Sequence, residues 1–269
     1  MLNTRGAPPR LEVLAVRYGE FTTLKSELFH DFTAYGEPDD EVTMDYYFWV
    51  VRGEGRTLLV DTGFTPEAAR SRNRTCLIHP VEAAHAVGLT PESVPQVLVT
   101  HFHYDHIGNL GAFPRAEVLV SEREYEYWTF ALRTGTATCG AIEPGEISAV
   151  EDAHRSGRVR LLPDRTEIMP GVTALTVGGH TPGQLVVVVE AENGSVILAS
   201  DAVHLDEELE KDRAFAVFTD LDDMYRAYGT LRDLSAELDA RIVPGHEPRV
   251  TSRHPPAPEY PGGTAHRLL

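Results

Sequence analysis

Cysteine is scarce in this 269-residue chain: Cys76 and Cys139 are the only two. Two thiols cannot build the disulfide framework that staples small secreted domains, so both are expected to be reduced. Long apolar runs are missing as well. No stretch approaches the roughly 20 residues needed to cross a bilayer, which argues against a membrane partner. The opening "MLNTRGAPPRLEV" has no apolar centre of a secretory leader, and a cytoplasmic location is expected. Basic residues are outnumbered, 24 against 41 acidic, giving a net charge of −17 with no Lys/Arg cluster. That field repels phosphate backbones and argues against a nucleic-acid partner. Core-forming residues are not lacking: the chain is 42% hydrophobic and 24% charged, enough to bury a substantial interior.

β-rich apolar segments recur in the first half, at 11–21, 42–53, 56–63, 96–100 and 116–121. Helices are expected from Pro80 to Gly88, with Pro in the first turn and Gly at the end, and from Glu122 to Arg133. The second half repeats the pattern. Strands are expected at 171–179, in a hairpin over 184–202 turning at Asn193-Gly194, and at 240–245. Residues 220–239 carry an apolar stripe at helical spacing. Blocks of strands followed by helices predict an α/β fold, a four-layer αββα sandwich, as a single domain over 1–269 with an irregular tail from about 251. Segments 22–41 and 134–158 read as long connections, which usually cover a site or move.

One stretch stands apart. "HFHYDHIGN" (101–109) places His101, His103, Asp105 and His106 just after the strand "QVLVT", where a sheet edge holds loops rigidly. His101 and His103, two apart on extended backbone, point the same way and can share one metal. Asp105 and His106 follow as the chain turns, and can face a second ion. His180 in "VGGHTPG", Asp201 in "ILASDA" and His246 in "IVPGHEP" each end an apolar strand in the same manner. Any one of these could be a loop residue; seven at four strand ends point to metal binding.

This set resembles the metallo-β-lactamase superfamily, whose signature is H-x-H-x-D-H followed by separate His, Asp and His. With "GGHTPGQ", "SDA" and about a hundred residues before the signature, the chain is most similar to the N-acyl-homoserine lactonase-like branch. The resemblance implies that His101, His103 and His180 bind one metal and that Asp105, His106 and His246 bind the other, with Asp201 bridging. It also implies that Asp61 in "LLVDTG" steadies a ligand histidine, although Asp-Thr-Gly is equally good turn chemistry.

Imidazole and carboxylate suit two divalent ions, zinc foremost, with manganese, cobalt or iron also admissible. The expected function is ring opening of a lactone, N-acyl-homoserine lactone or a related cyclic ester, by a hydroxide shared between the ions. Asp105 or Asp201 would pass a proton to the leaving alkoxide. Hydrolysis of another ester, a thioester or a cyclic amide is the alternative, and an iron-dependent oxidoreductase of the same fold a further one. A small-molecule lactone or ester is the expected partner, and a homodimer a further expectation. The chain departs from the resembling lactonases at His204, three residues past Asp201, where they commonly carry tyrosine. His204 either donates to the substrate carbonyl or packs against the following helix. Tyr46, Tyr47, Phe48, Phe64, Tyr104 and Trp128 are candidates for the cleft wall, or for the core.

Overall fold

The computed structural model describes residues 8–137 and 139–269; most of the opening stretch read above for a leader lies outside them. Thirteen strands are described: β1 (Glu12–Leu24), β2 (Glu41–Gly53), β3 (Arg56–Val60), β4 (Thr75–Cys76), β5 (Gln96–Val99), β6 (Glu117–Ser121), β7 (Val159–Leu162), β8 (Arg165–Met169), β9 (Val172–Thr176), β10 (Leu185–Ala191), β11 (Gly194–Ser200), β12 (Ala240–Pro244) and β13 (Ala265–Arg267). They form two sheets. The larger runs β13-β1-β2-β3-β5-β6-β7, with β4 added on β1, and the smaller runs β12-β11-β10-β9-β8.

Side-chain parity explains why the sheets stack. In β1, Val13 and Ala15 face the second sheet, while Leu14, Val16 and Tyr18 face the opposite way. In β10, Leu185, Val187 and Val189 meet them from the other side, and Val186 and Val188 point outward. Each central strand is therefore apolar on both faces, and each sheet needs a helical cover. Ala83, Ala84, Trp128, Ile147 and Val150 cover the first sheet. Met224, Tyr228 and Leu231 cover the second from the helix Leu221–Leu238, whose first turn is capped by Asp220 accepting from the Asp223 N–H at 2.9 Å. Four layers result.

Most expected elements are present, and three expectations need correction. The 134–158 connection contains a helix, Pro144–Arg155, whose Ile147, Val150 and Ala153 are buried; three apolar positions at helical spacing among Gly, Ser and charged residues are a weak periodic signal. The hairpin turns at Glu192 and Asn193, because Gly194 (φ +129°) already pairs with Ala191 in the ladder. The tail is not irregular throughout. Pro248 opens a short helix, Arg249–Arg253, and β13 pairs antiparallel with β1, Leu14 opposite Arg267. Leu268 and Leu269 are 3% and 8% exposed, and their backbone exchanges hydrogen bonds with Val13. Three residues are too few to show alternation in sequence. No helix among the described residues is long and apolar enough to cross a membrane.

Deleting residues 264–269 unroofs that edge. Two buried leucines are worth about 3 kcal/mol or more, so the thermal midpoint should fall by roughly 6–12 °C for a chain of this size. Calorimetry showing an unchanged midpoint would mean that β13 contributes nothing.

Candidate metal centre

The site is assembled where parallel strands end. β3, β5 and β6 run parallel in one sheet, and β11 and β12 run parallel in the other. Chain leaving β3 supplies Asp61, chain leaving β5 supplies His101 to His106, chain leaving β11 supplies Asp201, and chain leaving β12 supplies His246. His180 follows β9. Two of these exits are made by non-glycine residues in the left-handed region, Asp61 at φ +64° and Ser200 at φ +47°. Such backbone costs of order 1 kcal/mol or more and persists only where the surroundings impose it. At Ser200 the imposing contact is Gly245, whose N–H donates to the Ser200 carbonyl at 3.1 Å. A Cβ on Gly245 would lie 2.8 Å from both Asp201 Oδ1 and the Ser200 backbone, so this position tolerates no side chain.

All seven residues expected at the site come together, and all are buried. They form two groups, His101, His103, His180 and Asp201, and then Asp105, His106, Asp201 and His246. Asp201 belongs to both. Its Oδ2 faces the first group, 3.7 Å from His101 Nε2 and 3.5 Å from His180 Nε2. Its Oδ1 faces the second, 3.3 Å from His106 Nε2 and 3.1 Å from His246 Nε2. Asp105 Oδ2 lies 3.8 Å from each of those two nitrogens.

Outer hydrogen bonds fix which nitrogen faces inward. Nδ1 of His106 lies 2.7 Å from Asp61 Oδ2, that of His180 lies 2.8 Å from the Val217 carbonyl, and that of His246 lies 2.9 Å from the Asp45 carbonyl. An acceptor at Nδ1 puts the proton there and leaves the Nε2 lone pair free toward the centre. Asp61 also accepts from the Thr100 N–H at 2.8 Å and from its hydroxyl at 2.9 Å, which joins β3 to the start of the histidine loop.

Burial and the neighbouring imidazoles push His101 and His180 well below the ordinary histidine pKa, and burial brings His103 to about 4. At His106, burial is outweighed by the carboxylates of Asp201, Asp61 and Asp105, which hold its pKa well above the ordinary value. Burial also opposes ionisation of Asp201, but His246, His106 and His204 overcome it and keep this carboxyl well below its usual range. His101 Nε2, His106 Nε2 and Asp201 Oδ1 are buried with no hydrogen-bond partner. Converging imidazole nitrogens and carboxylate oxygens, with the second proton of His106 given up on binding, are the donor set that divalent metals of the zinc type take. The residues fit two ions.

His204 borders the same cavity and stacks on Phe215, ring centroids 3.5 Å apart. Its Nε2 lies 3.2 Å from Asp201 Oδ2 and its Nδ1 lies 3.3 Å from Glu208 Oε1, neither aligned as a hydrogen bond. Burial disfavours its charge, but Asp201 and Glu208 hold its pKa up at about 9. Sequence reasoning missed Glu124, which is fully buried and ties the two histidine loops together. It accepts from the Phe102 N–H at 2.8 Å, the Gly183 N–H at 2.9 Å and Trp128 Nε1 at 2.7 Å. As one glutamate of three in "EREYE", it carries no signal of its own.

The cavity above the two groups measures about 350 Å³, within the range of small-molecule sites. Of the expected cleft aromatics, Tyr46 and Tyr104 reach it. Tyr47 packs between the sheets, and Phe48, Phe64 and Trp128 belong to the core under the helices. From the expected covers, Thr23, Glu27, Leu28 and Ala141 line the cavity.

Comparison with known proteins agrees with this geometry. The sequence profile of the metallo-beta-lactamase superfamily matches residues 45–246. An N-acyl homoserine lactonase of Bacillus sp. is 27% identical over 196 residues, covering 67% of this chain and 73% of that one. A quorum-quenching N-acyl homoserine lactone lactonase of known structure superposes with a TM-score of 0.77 at 21% identity, covering 94% of this chain and 98% of that one. AidC, described as a dizinc quorum-quenching lactonase, superposes with a TM-score of 0.70 at 19% identity, over 90% of each chain.

Protein purified without chelator should carry close to two metal equivalents by elemental analysis. Asp201→Ala removes the carboxylate common to both groups and should lower that count to one or less. A wild-type plateau at one equivalent after reloading would defeat the paired arrangement.

Proposed function

The chain belongs to the metallo-beta-lactamase superfamily, and from that premise we propose that it is a metal-dependent hydrolase that opens the ring of an N-acyl homoserine lactone or a related cyclic ester. The observation that carries this reading is the pair of residue groups sharing Asp201 at the floor of a partly apolar cavity. The names of the curated relatives support the choice of substrate. In this reading His101, His103 and His180 hold one ion and Asp105, His106 and His246 the other, with Asp201 between them. Zinc is the proposed metal, from the imidazole and carboxylate donors.

When bound, the ions supply a water acidic enough to attack at neutral pH and positive charge for the carbonyl oxygen. The protein's own groups do the rest. Met44, Leu28 and Phe215 line the cavity with apolar surface that can seat a hydrocarbon arm. Asp105 and Asp201 both border the cavity, and one of their carboxylates takes the proton of the attacking water and returns it to the leaving alkoxide. His204 Nε2 reaches the cavity side of Asp201 and donates to the carbonyl oxygen as it gains charge. Stacking on Phe215 fixes its ring plane for that task.

The metal-loaded protein should release acid from neutral lactones with partly apolar arms. A screen in which only glutathione thioesters or phosphodiesters react would overturn the lactonase reading. His204→Ala should keep both metals and lose turnover by about 10²–10³, and His204→Tyr should recover part of it. Unchanged kinetics in the Ala variant would leave His204 a packing residue, and loss of one metal would make it a ligand.

A further inference from the structure

Two arginines flank Tyr104 at the cavity wall, and their surroundings differ. Arg72 stacks over the Tyr104 ring, 4.3 Å from its centroid, and its charge is matched. Its Nη1 bonds Glu143 Oε1 at 2.5 Å, and its other donors reach the Gly140 and Ile142 carbonyls. It is a strut between two loops. Arg74 lines the cavity itself. Its Nε donates to Tyr104 Oη at 3.2 Å and its Nη1 to the Arg72 carbonyl at 2.7 Å, while its guanidinium carbon lies over the Phe21 ring, 3.5 Å from the centroid. Among the described residues no carboxylate bonds it.

A guanidinium has five N–H donors, and these contacts use two. The stack on Phe21 and the bond to Tyr104 hold the group in place, so little side-chain freedom remains to be lost when a ligand arrives. Much of the wall around it is apolar, with Phe21, Leu28, Met44, Phe215 and Val217, while Thr23 and Glu27 add polar groups to the lining. A pre-positioned cation with no bonded carboxylate, set among apolar side chains in a protein of net charge −17, is a local preference opposed to the global field.

Building on the lactonase reading, we propose that Arg74 is a specificity-determining residue that donates to an oxygen on the substrate's side arm. The pocket then prefers lactones whose arm carries an oxo or carboxylate oxygen over those with a bare hydrocarbon arm of equal length. The free Nη donors supply the recognition, and Phe21 and Met44 seat the carbons around it. A charge-assisted hydrogen bond of this kind is worth about ten- to a hundred-fold in affinity.

The test compares alkyl, oxo and carboxylate arms of one length on the metal-loaded protein. Wild type should favour the oxygen-bearing arms at least ten-fold in kcat/KM, mainly through KM, and the charged and neutral arms show which oxygen is preferred. Arg74→Met should collapse the ratio between arms, whereas Arg74→Lys, which keeps the charge and loses the fork, should retain part of it. Calorimetry with hexanoate against hexanamide supplies a second readout, with hexanoate binding weakened ten-fold or more in Arg74→Met. A wild type indifferent to the arm, or a ratio unchanged in Arg74→Met, overturns the proposal. If no lactone of any kind is opened, the lactonase reading fails, and the hexanoate measurement alone decides whether Arg74 binds an oxygen ligand.

Discussion

Everything at this site depends on burying polar atoms that the protein itself leaves unpaired. His101 Nε2, His106 Nε2 and Asp201 Oδ1 have no hydrogen-bond partner, and no solvent reaches them. An unsatisfied buried polar group costs about 1–3 kcal/mol, so gathering several opposes folding by an amount comparable to net stability. Two continuous sheets apolar on both faces supply the offsetting burial. The cost is concentrated where an ion can relieve it.

Directional control comes from outside the centre. Asp61, the Asp45 carbonyl and the Val217 carbonyl each hold one ring nitrogen, which aims the other inward. Those acceptors sit on three separate parts of the chain, so no single loop determines the geometry. The left-handed turns at Asp61 and Ser200 bend the chain where β3 and β11 end, and the surroundings hold them there.

The ligand-type residues were legible because they fall at strand ends in a dense, chemically distinctive pattern, and the two-sheet architecture because its strands alternate or run apolar over several residues. Other features left no such trace. The helix Pro144–Arg155 buries only a narrow stripe, and β13 is three residues long and defined wholly by its partner. Glu124 and Arg74 are ordinary residues in sequence whose importance comes from neighbours more than fifty and about thirty positions away. Sequence shows what chemistry is available; which glutamate lies under a loop and which arginine lacks a carboxylate are facts of packing.

Glu124 has a consequence for how a centre of this kind is filled. By accepting from both the Phe102 and the Gly183 N–H, it joins the two histidine loops through one carboxylate. The ordering entropy of the centre is then charged to folding and not to loading. Whatever the centre takes up then meets a container already closed on two sides, the Phe102 and Gly183 backbones held against each other through one buried carboxylate.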